Sequence, residues 1–111
     1  MNAMINWDRV MELRHEIGQE DFAEIVTLFL EEADEVVARL SPANDAKTME
    51  NDLHFLKGSA LNLGFEEFAR ICQTGERMAA NGRTDVEVDV VRATYRQSRQ
   101  SFLARMEQLA A

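Results

Sequence analysis

Apolar positions recur at three- and four-residue steps along almost the whole chain, the period of a helix rather than the two-residue alternation of a strand. Trp7 to Ile17 carries Val10, Leu13 and Ile17 in this spacing, and Gly18 closes the segment. A stripe of Phe22, Ile25, Val26, Phe29, Leu30, Ala33, Val37 and Leu40 then spans Gln19 to Leu40. Ser41-Pro42 ends it, because proline lacks an N–H and clashes with the preceding turn. Asp45 to Leu63 aligns Met49, Leu53, Leu56, Ala60 and Leu63, with Gly64 placed to terminate the helix. Phe65 to Ala80 brings Phe68, Ile71, Cys72, Gly75, Met78 and Ala79 to one side before Asn81-Gly82. The last segment, Asp85 to Leu109, aligns Val88, Val91, Tyr95, Phe102, Met106 and Leu109. Val86-Glu87-Val88-Asp89-Val90 alternates, but this run stands alone and continues into helical spacing. Four helices of about 16–25 residues with short loops predict an all-α fold, an antiparallel up-down-up-down four-helix bundle. The short additional N-terminal helix must lie across one end or side.

Composition narrows what such a bundle can do. The 111 residues, 46% of them apolar, suit a single domain over 1–111 with one core and no interlobe cleft. Twelve Lys and Arg against 20 Asp and Glu give a net charge of −8, which phosphate backbones repel, so nucleic acid is not an expected partner. One cysteine and no C-x-x-C point to a reducing compartment. Met1 to Asp8 shows no charged region leading into an apolar run, so no signal peptide is read there. No apolar run approaches the roughly 20 residues that span a bilayer. A cytoplasmic protein with no membrane partner is the expectation.

The outward face of the third helix is unusual. On a wheel of about 100° per residue, Lys57 and Gly58 flank His54, and the apolar stripe lies on the far side. An interior glycine costs an exposed helix about 1 kcal/mol relative to alanine, so Gly58 needs another reason. It either admits another helix of the fold or leaves a bare spot where another molecule approaches the histidine. His54 and Glu76 each stand eleven residues from Phe65, which puts them at similar heights if the third and fourth helices form an antiparallel hairpin. Glu76 is then placed to accept a hydrogen bond from His54, fixing the tautomer and leaving the other ring nitrogen as a nucleophile. Lys57 is placed to neutralise an anion attached there. These are the minimal parts of a phosphoryl-accepting histidine.

The run His54-Phe55-Leu56-Lys57-Gly58-Ser59-Ala60-Leu61-Asn62-Leu63-Gly64 resembles the signature of histidine-containing phosphotransfer (Hpt) domains. The resemblance implies a monomeric phosphocarrier on a four-helix bundle with an extra N-terminal helix. It would pass phosphoryl groups between aspartates of receiver domains, those of response regulators and of a hybrid sensor histidine kinase, in a multistep phosphorelay. His54 would be phosphorylated, Lys57 would stabilise the phosphoryl charge, and Gly58 would admit the partner. Glu76 falls where other members carry a glutamine or glutamate bonded to the imidazole. Ser59 would orient or stabilise the helix, and Ala60 replaces a second serine found in many members. Phe55 and Leu61, with Val10, Leu13 and Ile17 of the first helix, would form an apolar docking patch. The chain would need no cofactor of its own, and Mg²⁺ and the acceptor aspartate would come from the receiver. No nucleotide-binding glycine loop is present, so the chain is read as a carrier without ATP-dependent kinase activity. Its start at Met1 favours a free-standing carrier.

Other readings remain beside this one. An Hpt-like module could bind a receiver or kinase without taking phosphate. A metal site built on His54 and Glu76 has only two ligands and no Glu-x-x-His pair, so no metal is expected. His15 has no Lys-Gly companion and reads as a surface or capping residue, Cys72 as a small core hydrophobe, and Trp7 and Tyr95 as packing residues.

Overall fold

The computed structural model describes residues 4–110; Met1 to Ala3, the start of the stretch read for a leader, and Ala111 lie outside them. Five helices follow one another: α1 (Trp7–Ile17), α2 (Gln19–Arg39), α3 (Ala46–Leu63), α4 (Glu66–Ala80) and α5 (Val88–Ala110). The described residues contain no strand. α2 to α5 form the bundle: α3 packs most intimately on α4, α4 on α5, and α2 against α3 and α5, while α1 rests on α2 and α3.

Local chemistry sets the helix ends. Asn6 caps α1, its side-chain oxygen accepting from the Arg9 N–H at 3.2 Å. Asp45 caps α3 by accepting from the Thr48 N–H at 2.7 Å, and that bond holds its carboxyl below the usual range. Gly64 ends α3 with a φ of 77°, a left-handed turn in which Phe65 N–H donates to Ala60 O at 2.8 Å. Carbonyls at the end of α2 are met from across the bundle: Arg92 of α5 donates to Val37 O at 3.0 Å and Leu40 O at 2.9 Å.

The expected stripes line one core, with Phe22, Met49, Leu53, Phe68, Cys72 and Phe102 all almost without solvent contact. Val36 joins it from α2, whereas Ile25 and Phe29 are only partly buried. α5 begins at Val88 rather than at Asp85. The alternating valines explain the difference. Val86 turns inward from an irregular connection and Val88 from the first position of the helix, and Arg83 clasps Asp85 at 2.9 and 2.6 Å before the helix starts.

α1 closes one end of the bundle over the α3–α4 turn. Asn6 N–H donates to Gly64 O at 2.7 Å, and a Cβ on Gly64 would lie 2.7 Å from Asn6 O. Trp7 stacks on Phe102 at 5.7 Å between ring centroids, with the Arg105 guanidinium 5.8 Å from the indole. Val10 is thereby carried into the core.

Candidate functional site

Depth between α3 and α4 is set at Gly75. A Cβ there would stand 2.9 Å from Leu53 Cδ1 and 3.0 Å from Val86 Cγ1, closer than packed side chains tolerate. The adjoining residues, His54 and Glu76, face each other across the seam. His54 Nδ1 lies 2.9 Å from Glu76 Oε2, and the imidazole is 70% exposed against 19% for the carboxylate. Since the carboxylate only accepts, Nδ1–H is the donor, and Nε2 keeps its lone pair toward solvent.

Lys57 adds a contact to Glu76 that the reading of the sequence did not include. Its Nζ lies 2.9 Å from Glu76 Oε1, so one carboxylate holds the imidazole with one oxygen and the ammonium with the other. Partial burial works against the charge on Glu76, but the hydrogen bonds and positive charge of Lys57 and His54 outweigh it and keep its pKa below the usual carboxylate value. Lys57 was expected beside an anion on His54; its ammonium rests on Glu76, one turn from the imidazole. The available signal was the three-residue step from His54 to Lys57, which puts both over the same side of α3.

Gly58 is exposed, and a Cβ built there would meet nothing within 4 Å. No helix of the described residues packs on it, so the bare spot faces outward. Three and four residues away on the same surface are His54, Phe55 and Leu61, the last two 38% and 58% exposed. Ser59 and Ala60 turn inward and are buried.

The expected contribution of Val10 to an apolar patch needs correction. Val10 is 1% exposed, pressed against Gly64 at the bundle end, and offers no surface to a partner. Leu13 and Ile17 are partly buried and packed on the core. The periodicity that marked Val10 was that of a core-facing stripe, while Leu13 and Ile17 at its edge keep part of their surface. His15 is exposed in the last turn of α1, and Tyr95 is buried, donating its hydroxyl to Asp34 at 2.5 Å. Cys72 is buried beneath the site, and desolvation, with some help from Glu76, pushes its thiol up to about 12. Among the described residues no three His, Cys, Asp or Glu side chains gather to hold a metal ion, and no helix is long and apolar enough to cross a membrane.

A family model of the Hpt domain matches residues 24–111. The chain belongs to the Hpt domain family. That match takes in His54, Lys57, Gly58 and Glu76, and leaves out α1 and the first turn of α2. Among solved structures, the fold is similar to that of the Saccharomyces cerevisiae histidine phosphotransfer signaling protein Ypd1, crystallised with the receiver domain of its downstream response regulator Ssk1. The TM-score is 0.70 at 18% identity, covering 97% of this chain and 93% of that one, a likeness of fold that includes α1. No curated protein matches the chain.

Proposed function

We propose that this Hpt domain is a phosphocarrier that takes a phosphoryl group on Nε2 of His54 and passes it between receiver-domain aspartates of a hybrid sensor histidine kinase and a response regulator. The observation that carries the reading is the 2.9 Å contact of His54 Nδ1 with Glu76, beside a glycine with open space above it. Glu76 is the positioning residue: it fixes the tautomer in which Nε2 is nucleophilic. Gly58 leaves room for an acidic site to bring phosphorus in line with Nε2, and Phe55 and Leu61 supply apolar contact around it. Lys57 stands one turn from His54 with its ammonium already in the site, where a phosphoryl dianion would draw it. In-line transfer depends on such positioning and charge neutralisation more than on covalent help from the protein.

Mg²⁺ belongs to the receiver in this scheme, as does the aspartate. The chain acts as a single-domain, monomeric cytoplasmic carrier with no ATP-dependent kinase activity of its own. The yeast protein of similar fold was crystallised with a receiver domain, which supports that choice of partner.

The test is phosphoryl transfer from phosphorylated receiver domains of the same organism to the wild-type protein and to His54→Gln. Acid-labile, alkali-stable label on the wild type alone is the expected result. Receiver binding without label on either protein would replace the carrier by a phosphate-independent interaction module. Label retained on His54→Gln would move the site elsewhere.

A further inference from the structure

Phosphorylated imidazole exists in two forms. In one the ring is neutral and Nδ1 carries a lone pair; in the other Nδ1 keeps its proton and the ring is a phosphoimidazolium. The second releases phosphorus by expelling a neutral imidazole, whereas the first would have to expel an imidazolate, a far poorer leaving group. Which form a protein holds depends on what faces Nδ1.

Here a carboxylate faces it, Glu76 Oε2 at 2.9 Å. A carboxylate offers lone pairs and no N–H, so a deprotonated Nδ1 would meet negative charge and no donor at hydrogen-bond distance. An amide in the same place would turn over and donate. The Lys57 ammonium lies 2.9 Å from the other oxygen, so its charge offsets part of the pull that Glu76 exerts on the imidazole. We propose, resting on the carrier reading, that Glu76 keeps the proton on Nδ1 of phosphorylated His54, so the phosphoryl group is held as a phosphoimidazolium poised to leave.

The step balances without an added acid or base. On loading, the Nε2 lone pair forms the N–P bond while the P–O bond to the donor aspartate breaks, its electron pair leaving on the carboxylate. On unloading, an acceptor carboxylate oxygen bonds phosphorus and the N–P pair returns to Nε2. The Nδ1 proton stays bonded toward Glu76 throughout. The groups facing this proton are few. α3 supplies His54 and Lys57, with Glu50 one turn before His54 and paired to Lys47 at 3.7 Å, and α4 supplies Glu76, with Cys72 one turn away and its thiol held protonated. The Arg39–Asp52 pair between α2 and α3 lies on another side of α3, since Asp52 is two residues, about 200°, from His54. Among the described residues, α1 and α5 bring no ion pair to His54 or Glu76.

The experiment loads wild-type protein, Glu76→Gln and Lys57→Met, each labelled with nitrogen-15 in histidine, using phosphoramidate as a small P–N donor. The Nδ1 resonance of the phosphorylated ring is followed against pH. Wild type should keep the Nδ1 proton to a pH higher by about 1 unit or more than Glu76→Gln, the scale of one opposite charge in contact. Lys57→Met, which leaves the carboxylate in place, should keep it at least as long as the wild type. Phosphohistidine should in parallel survive longer in Glu76→Gln at neutral pH. Uptake by wild type and Glu76→Gln with coincident titrations overturns the proposal and leaves the carrier standing. Uptake by no protein overturns the carrier reading and this proposal with it. Should Glu76→Gln fail to fold, phosphorylated wild type unfolded in urea gives the reference ring, and coincidence with it overturns the proposal equally.

Discussion

Replacing Gly58 by alanine should make the protein more stable and a worse carrier. The position is interior to α3, exposed, and open for at least 4 Å around a new Cβ, so the methyl meets no neighbour. What remains is the backbone term: glycine loses more freedom than alanine on entering a helix, by about 0.5–1 kcal/mol. With an unfolding entropy of about 2.1 cal/mol/K per residue, that gain raises the melting temperature of a chain this size by about 2–4 °C. Circular dichroism melts of the two proteins read it directly. The same methyl stands in the space assigned to an incoming receiver. Forcing extra atoms into a fitted contact costs about 1–3 kcal/mol, or roughly 5- to 150-fold in transfer rate, with Gly58→Gln at the upper end. A destabilised Gly58→Ala would refute the statement that the glycine serves nothing inside the fold. A Gly58→Gln protein that transfers at the wild-type rate would refute the assignment of the open space to a partner.

Three other substitutions or treatments separate the parts of the site. Lys57→Ala should cost about 0.5–1 kcal/mol, the scale of a partly exposed ion pair, and should also slow transfer; unchanged kinetics would leave Lys57 as a partner of Glu76 alone. Because Lys57 helps hold Glu76 below its unfolded-state pKa, this stability difference is full above the ordinary carboxylate range and fades as acid protonates Glu76, which melts across that range would show. Gly75→Val should destabilise the bundle by about 1–3 kcal/mol, because Leu53 and Val86 already occupy the space at 2.9 and 3.0 Å, and it should break the His54–Glu76 contact, seen as a change in the imidazole resonances. Cys72, with its thiol raised to about 12 by burial, should resist iodoacetamide at mildly alkaline pH until the protein unfolds, and prompt alkylation of the folded protein would contradict its place in the core.

Helix periodicity made the five segments legible because each buries one stripe, and Asp45, Gly18 and Gly64 mark ends through chemistry that acts within a few residues. The start of α5 was less legible. Val86 belongs to the core from an irregular connection, and an alternating valine there has the same pattern as the first turn of a helix. Val10 illustrates the converse difficulty. Its apolar spacing is equally compatible with a core stripe or a docking patch, and only the docking of Asn6 on Gly64 decides for the core. The height of Glu76 followed from counting along an antiparallel hairpin, whereas its ion pair with Lys57 has only the three-residue step from His54 as a trace and depends on how a long side chain bends.

Gly58 and Gly75 show why the site needs both the residue type and the fold. In the chain they are the same residue in the interiors of adjacent helices. In space they act oppositely: Gly75 has no room for a methyl, and Gly58 has nothing near one. The first draws α4 down on α3 until Glu76 reaches His54, so the chemistry rests on a glycine whose own neighbours are Leu53 and Val86. The second leaves the opposite side of the same histidine uncovered. Exchanging their environments would defeat both, since a bulkier residue at Gly75 lifts the carboxylate away and one at Gly58 shields the nucleophile. An alanine at each position therefore distinguishes inner from outer function by sign: Gly58→Ala raises the melting temperature and Gly75→Ala lowers it. Shifts of the same sign would mean that the two glycines share one structural role, and the division between them would fall.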